Sequence, residues 1–179
     1  MLEATDVQSA LLPIIVRRLA PSDSMESLTA LLHRAYAEQV AMGLKPLAGR
    51  QTVEVTRARS MSGENFVATL GEGGPLVGTI LFQEKEGVAI PEWFQRPEVA
   101  HFSLFAVDPL HQGRGVGGML LRAVEQRAAE LGRSEIALSY AEPDTKLAAF
   151  YAHRAYRFIQ HWQWPYTNYT SAILSKSVA

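Results

Sequence analysis

The feature that most constrains this sequence is a glycine-rich segment, in which residues 113–118 contain four glycines. The segment follows an apolar, strand-like run over residues 101–107 and precedes a run over 116–131 whose apolar residues have helical spacing. So many glycines at the start of a helix cost too much helix propensity to be explained by a tight turn alone. A glycine-rich loop that opens a helix directs several backbone N–H groups, and the positive end of the helix dipole, to one place. The segment therefore predicts a binding site for an anion.

The overall composition excludes several classes of protein. The chain has 179 residues, of which 47% are hydrophobic, and a formal net charge of −1. These values predict one soluble domain over residues 1–179, with no electrostatic basis for binding nucleic acid. We expect a cytoplasmic protein, because the N-terminus lacks a signal pattern and no apolar run approaches the roughly 20 residues of a membrane helix. The chain contains no cysteine, which excludes disulfides and cysteine nucleophiles, and the spacing of its histidines predicts no metal site.

The hydrophobic periodicity predicts seven strands and about four helices. Strands are expected near residues 11–19, 66–70, 76–82, 101–107, 134–140, 156–162 and 169–175, and helices near 24–41, 52–59, 116–131 and 144–154. Asp23 is expected to cap the first helix. The strand–helix–strand unit over residues 101–140 predicts a parallel pair, whereas residues 66–82 predict an antiparallel hairpin. The predicted fold class is therefore α/β, or more narrowly an α+β mixed sheet with helices packed on it.

The glycines match two different motifs. Gly113, Gly115 and Gly118 satisfy the dinucleotide-binding pattern G-x-G-x-x-G, and Glu135 follows at about the expected 20 residues, although it lies at the start of its strand and not at the end. In that motif, however, the loop follows its strand almost immediately, whereas several residues intervene here. The chain remaining after Gly118 is also too short for a doubly wound sheet. No Lys-Ser or Lys-Thr follows the glycines, which excludes a P-loop.

The second motif is Gln112-x-x-Gly115-x-Gly117, preceded by Val107-x-Pro109. It resembles the Q/R-x-x-G-x-G/A motif of the GCN5-related N-acetyltransferase (GNAT) family. The resemblance implies the GNAT-like acyl-CoA N-acyltransferase fold, with acetyl-CoA as co-substrate and its pyrophosphate on the loop. The implied phosphate-binding residues are Gln112, Gly113, Arg114, Gly115, Val116, Gly117 and Gly118. Gly115 and Gly117 would let the backbone approach the phosphates, and Arg114 would add a positive charge.

Residues 144–156 resemble the family's other signature, N-x-x-A-x-x-L-Y-x-x-x-G-F. Three positions depart from it: Asp144 replaces Asn, Leu147 replaces Ala and Ala155 replaces Gly. The resemblance implies that Asp144 accepts a hydrogen bond from the pantetheine arm of coenzyme A. It also implies that Tyr151 lies near the sulfur, where a phenol can act as general acid to the departing thiolate. Backbone groups of Ala106 and Val107 are the candidates for binding the pantetheine amides.

The general base is less well defined by the sequence. An amine must lose a proton before it attacks the acetyl carbonyl, and a carboxylate or an imidazole usually accepts that proton. His101 lies 11 residues before Gln112, where the histone-acetylating branch of the family keeps a glutamate. Its usual pKa range suits this role. Glu98 and Glu142 are alternatives, and a single histidine on an apolar strand is more often a buried structural residue.

Together these features predict an N-acetyltransferase that transfers the acetyl group of acetyl-CoA to a primary amine of a small molecule or peptide. Direct attack within a ternary complex is expected, because no cysteine is available to carry the acetyl group. The alternative is a non-catalytic acyl-CoA-binding sensor or interaction module. The family resemblance also implies a homodimer that forms through the C-terminal strands. Five aromatic residues either line an acceptor pocket or pack in the core: Trp93, Phe94, Trp162, Trp164 and Tyr166.

Overall fold

A computed structural model describes residues 12–84 and 90–179 of the chain. These residues contain seven strands and five α-helices. The strands are β1 (Ile14–Arg18), β2 (Glu64–Leu70), β3 (Leu76–Gln83), β4 (Val99–Val107), β5 (Glu135–Ala141), β6 (Arg157–Trp162) and β7 (Ser171–Ser177). The helices are α1 (Met25–Ala35), α2 (Ala37–Ala41), α3 (Val53–Ser60), α4 (Val116–Glu130) and α5 (Thr145–Ala152). None of these described helices is long and apolar enough to span a membrane.

All seven strands belong to one sheet, in the order β1-β2-β3-β4-β5-β7-β6. Every neighbouring pair is antiparallel except β4 and β5, which are parallel and are connected through α4. The mixed sheet predicted from the sequence is confirmed. The antiparallel hairpin and the parallel crossover lie where the apolar periodicity indicated.

The core lies on both faces of this sheet. Ile80 and Phe82 of β3 pack with Leu120 of α4 in the larger buried cluster. Leu81, between them in the sequence, packs instead with Leu32 of α1 in a separate cluster. Successive strand residues point to opposite faces, so α4 covers one face of the sheet and α1 covers the other.

The first predicted helix differs from the observed structure in its N-cap and in its continuity. It divides at Tyr36 into α1 and α2, which gives five helices instead of about four. Ser24, rather than Asp23, caps α1, because its hydroxyl accepts the Ser27 N–H at 3.0 Å. The Asp23 carboxylate is occupied by the Arg17 guanidinium at 2.7 Å. Of the first predicted strand, residue 11 lies outside the described residues.

β4 and β5 pair only over a short stretch, and this positions the cleft described below. Residues 99–102 of β4 face residues 135–138 of β5, and beyond them the two strands diverge. β4 is irregular at the same place. Its register with β3 shifts between Thr79 and Leu81, and Leu104 has a φ of 47°. An extra residue in one strand bends that strand and interrupts its pairing, so the bulge accompanies the divergence.

The helices α4 and α5 end in the same hydrogen-bonded motif, with different residues at its left-handed position. After α4, Gly132 has a φ of 71° and its N–H bonds to the Ala129 carbonyl at 3.0 Å. After α5, Ala155 has a φ of 64° and its N–H bonds to Ala152 at 3.3 Å, while Tyr156 bonds to Tyr151 at 3.2 Å. This is the Schellman arrangement, in which glycine is the preferred residue.

Replacing Ala155 with Gly is therefore expected to stabilise the fold. A non-glycine residue in the left-handed region costs roughly 1–2 kcal/mol, and the extra backbone entropy of glycine offsets part of the gain. The free energy of unfolding should rise by about 0.5–1 kcal/mol, measured by urea denaturation. Gly132→Ala is the matched control, with a change of opposite sign. Equal or lower stability of Ala155→Gly would show that this turn is not strained.

Candidate active site

A cleft of about 970 Å³ opens where β4 and β5 diverge. Its walls come from these two strands, the glycine-rich segment, α5, the α1–α2 junction and the segment between β6 and β7. Eleven residues predicted for the site line it: His101, Ala106, Val107, Gln112, Gly113, Gly115, Val116, Gly117, Gly118, Asp144 and Tyr151. Two predicted residues, Glu98 and Arg114, are not part of its wall. The fold thus brings together residues that the sequence separates by up to 50 positions.

The glycine-rich segment forms one end of the cleft and leads into α4. Gly113 and Gly115 have φ values of 77° and 81°, and Gly115 is the N-cap of α4. A Cβ atom added at either position would meet no atom within 4 Å. The backbone here is therefore open to a ligand, and the unpaired N–H groups of the first helical turn make this end of the cleft suitable for an anion. Glycine is required at both positions by the positive φ.

The remaining loop residues differ in role. A Cβ atom at Gly117 would lie 3.4 Å from the Phe105 and Phe150 rings, which is an ordinary contact distance, so packing alone does not require glycine here. Gln112 donates its side-chain amide to the Val107 carbonyl at 3.3 Å, which ties the loop to the end of β4. The Arg114 side chain is exposed and lies outside the cleft wall. Its predicted role as a charge beside the phosphates therefore has no support from the geometry.

Asp108 holds the turn before the glycine-rich segment in place, a role that the sequence did not predict. Its carboxylate accepts the Leu110 N–H at 3.0 Å and the Arg34 guanidinium of α1 at 2.7 Å. Desolvation opposes the charged form of this buried residue, but the bonds from Arg34 and Leu110 outweigh it, and the pKa of Asp108 is lowered. The turn that leads into the anion site is thereby anchored to the first helix.

The backbone of β4 faces the cleft beyond Phe102, where its pairing with β5 ends. Asp108 donates its N–H to the Val77 carbonyl of β3 at 2.8 Å. Backbone groups alternate between the two edges of a strand, so those of Val107 point toward the gap beside β5 and those of Ala106 point toward β3. Of the two predicted backbone contacts, the geometry favours Val107 over Ala106. The Phe105 carbonyl also faces the gap, where it accepts the Tyr36 hydroxyl at 3.1 Å.

Tyr151 lies on α5 within a cluster of aromatic rings. Its ring contacts Phe105, Tyr140, Phe150 and Tyr156, with centroid distances between 5.2 and 6.5 Å. The side chain is 3% exposed and still borders the cleft. Burial, with smaller contributions from the neighbouring Tyr36 and Asp144, raises the pKa of the Tyr151 hydroxyl well above its usual value. The phenol therefore stays protonated and can donate a proton or a hydrogen bond.

Asp144 caps α5 and also links two helices across the cleft. Its carboxylate accepts the Leu147 N–H at 3.1 Å and the Gln39 side-chain amide of α2 at 2.8 Å. Beside this bond, Lys146 of α5 pairs with Glu38 of α2. A carboxylate has about four acceptor positions. The Asp144 carboxylate could therefore accept the predicted hydrogen bond from pantetheine in addition to those from Leu147 and Gln39.

The three candidate bases differ in whether they line the cleft. His101 lines the cleft, is 4% exposed, and stacks on Phe94 with ring centroids 4.4 Å apart. Its Nδ1 atom is buried without a hydrogen-bond partner in the described residues. Glu98 lies before the start of β4, outside the cleft wall, and pairs with Arg96 at 3.7 Å. Glu142 is also outside the wall and pairs with His161 at 2.7 Å. The geometry therefore does not support Glu98 or Glu142 as the base.

A sequence profile of the acetyltransferase (GNAT) family matches residues 26–156. The chain belongs to this family. The resemblance drawn from the two signatures is confirmed, and the protein is an acetyltransferase of a family that uses acetyl-CoA. No curated protein matches the chain in sequence.

Solved structures share the GNAT fold at low sequence identity. A GNAT acetyltransferase from Staphylococcus aureus Mu50 has a TM-score of 0.69 and 14% identity, over 93% of this chain and 100% of that one. The ribosomal-protein-S18-alanine N-acetyltransferase of Escherichia coli has a TM-score of 0.68 and 14% identity, over 93% and 95%. The Salmonella typhimurium protein yncA, solved with its cofactor acetyl-CoA, has a TM-score of 0.66 and 15% identity, over 93% and 95%. The predicted acyl-CoA N-acyltransferase fold is confirmed.

In this acetyltransferase, burial lowers the pKa of His101 to about 4. In the unfolded chain the pKa of histidine is about 6.5. The unfolded state therefore binds more protons between these values, and the stabilisation associated with neutral His101 is complete above pH 6.5 and is lost as the pH falls to about 4. We expect the free energy of unfolding to fall by up to roughly 3 kcal/mol from this group over that interval.

Urea denaturation at several pH values measures this loss. His101→Phe, which keeps a ring against Phe94, should lose stability less steeply with falling pH than the original protein. His153→Gln, at an exposed position after α5, is the control and should retain the original slope. Identical slopes for all three proteins would show that His101 titrates normally in the folded state.

Proposed function

We propose that this protein transfers the acetyl group of acetyl-CoA to a primary amine of a small molecule or peptide by direct attack in a ternary complex. One observation carries the proposal. A single cleft joins the glycine-rich segment, the part of β4 that does not pair with β5, and Tyr151. A nucleotide thioester co-substrate has matching groups in the same order. Its phosphates are followed by an arm that carries amides, and the arm ends in the sulfur. The acetyl-CoA in the yncA structure supports the same assignment.

The residues present fit this co-substrate. The open backbone at Gly113 and Gly115 accommodates phosphate oxygens, which the N–H groups at the start of α4 would bind. The Val107 backbone, exposed in the gap between β4 and β5, would bind an amide of the pantetheine arm. Tyr151 would then be the donor nearest the sulfur, as the family resemblance implies.

The reaction moves one acetyl group and one proton. The amine nitrogen forms a bond to the carbonyl carbon, the carbon–sulfur bond breaks, nitrogen loses a proton and sulfur gains one. Tyr151 donates to the departing thiolate, and its proton is replaced from the proton that nitrogen releases. His101 is the polar group that we assign to the amine, because its imidazole lines the cleft and is neutral at physiological pH. A weakly basic imidazole suits the positioning of an amine that arrives unprotonated.

Two measurements test the proposal. Calorimetric titration with acetyl-CoA should show saturable binding, which is weakened by high salt because the site is built for phosphate. Release of free thiol should then accelerate when a primary amine is added. Absence of binding would overturn the proposal. Binding without turnover on any amine would instead favour the acyl-CoA sensor.

A further inference from the structure

The part of the cleft beyond the β4–β5 gap has aromatic walls. On one side the Phe94 and His101 rings stack at 4.4 Å with an interplanar angle of 8°. On another, the Trp164 and Tyr166 rings stack at 5.7 Å and 19°. All four side chains border the cleft, whereas Trp93 and Trp162 do not. The sequence did not indicate which of the five aromatic residues line a pocket. In the fold, Phe94, Trp164 and Tyr166 line the cleft.

The second pair is held in place before any ligand binds. The Trp164 indole N–H donates to the Ser139 hydroxyl of β5 at 2.9 Å. The Trp162 ring meets Trp164 edge-on at 6.0 Å. Gln163 donates to the Trp164 carbonyl at 3.0 Å and to the Thr167 carbonyl at 3.1 Å, which closes the turn between β6 and β7. A preorganised aromatic surface binds a flat group with little loss of entropy.

The charges of the cleft are unfavourable to a polycationic acceptor. Among the described residues that line it, the carboxylates are Glu38 and Asp144, and both already bind partners between α2 and α5. On the aromatic side, the charged lining residue is the cation Arg59. Ammonium groups moved out of water require anionic or hydrogen-bonding partners. A polyamine or aminoglycoside would therefore find no counter-charge among the described lining residues on this side.

We propose that the acceptor is a monoamine that carries an aromatic ring, and that this ring lies against the Phe94–His101 and Trp164–Tyr166 pairs. This assignment rests on the acetyl transfer proposed above. The amine would then extend from the ring toward the β4–β5 gap. Aromatic rings prefer offset stacked or edge-on contacts with other rings, and both kinds of surface are present in this wall.

An amine panel of matched size tests the assignment. Thiol release at saturating acetyl-CoA is compared for 2-phenylethylamine, 2-cyclohexylethylamine, n-hexylamine and spermidine, with acetyl-CoA binding measured in parallel. We expect kcat/KM for 2-phenylethylamine to exceed that of each other amine at least threefold. Equal or better turnover of a non-aromatic amine would overturn the aromatic assignment and leave acetyl transfer intact. Binding of acetyl-CoA with no turnover of any amine would overturn acetyl transfer itself, and the acceptor assignment with it.

Paired variants locate the ring. Tyr166→Leu removes one ring at a position that is 41% exposed, so the fold should tolerate it. It should raise KM for 2-phenylethylamine three- to tenfold and leave binding of acetyl-CoA unchanged. Phe158→Leu, at an aromatic position on β6 that is 55% exposed and outside the cleft, is the matched control with no change. An unaltered KM in Tyr166→Leu, or an equal rise in Phe158→Leu, would contradict the proposed position of the ring.

Discussion

Tyr151→Phe is expected to lower kcat about 100-fold or more while acetyl-CoA binds with unchanged affinity. The substitution removes only a hydroxyl and keeps the ring within its aromatic cluster. Because burial holds the pKa of that hydroxyl well above its usual value, it serves as a donor and not as a base at any assay pH. Removal of a general acid typically costs 10²–10⁴ in rate, roughly. Steady-state kinetics and calorimetric titration together separate the loss of chemistry from a loss of binding.

Tyr156→Phe is the matched control. Tyr156 lies in the same aromatic cluster, but its hydroxyl donates to Glu125 at 3.0 Å and does not border the cleft. Loss of that bond should lower the free energy of unfolding by about 1–2 kcal/mol and leave kcat unaltered. If Tyr151→Phe retained full kcat, the departing thiolate would have to obtain its proton elsewhere.

Gly115→Ala should weaken binding of acetyl-CoA roughly 10- to 100-fold. The φ of 81° places this residue in the left-handed region, and the space beside it is open to a ligand. A methyl group there obstructs the approach of a phosphate to the backbone, and loss of one hydrogen bond to a charged group costs about 1.5–3 kcal/mol. Calorimetric titration with acetyl-CoA measures the change.

Gly73→Ala controls for backbone strain in this experiment. Gly73 has a φ of 67°, also has open space around it, and lies in the turn between β2 and β3, away from the cleft. Both alanine variants should lose similar folding stability, and only Gly115→Ala should lose affinity. Equal affinities in the two variants would mean that the phosphates bind elsewhere.

Much of the fold follows from local patterns in the sequence. Short apolar runs predict the strands β2, β3, β4 and β5, and apolar residues three to four positions apart predict the helix α4. The break at Tyr36 could not be predicted, since neither proline nor glycine marks it. At the break, the Tyr36 hydroxyl donates to the Phe105 carbonyl, 69 positions away.

The site was predictable where backbone geometry dictates the residue type. Positive φ angles strongly favour glycine at 113 and 115, so the sequence itself indicates the position of this loop. Hydrogen bonds between side chains of distant elements have no comparable pattern in the sequence. The bond between Gln39 and Asp144 spans 105 positions, and Arg34 reaches Asp108 across 74. Glu98 looked suitable because it lies near His101 in sequence, but it precedes β4, whereas the cleft opens at the other end of the strand.

The short pairing of β4 with β5 has a mechanical consequence. The sheet consists of two halves, one with the strands β1, β2, β3 and β4 and the other with β5, β7 and β6. Four residue pairs between β4 and β5 join the halves, and the rest of the seam between these two strands is unpaired. A co-substrate seated in that gap would bind the free edge of one half while touching the helix that follows the other. It would bridge the part of the seam that the strands leave unpaired, so that the two halves would be held together along their whole length while the co-substrate is bound.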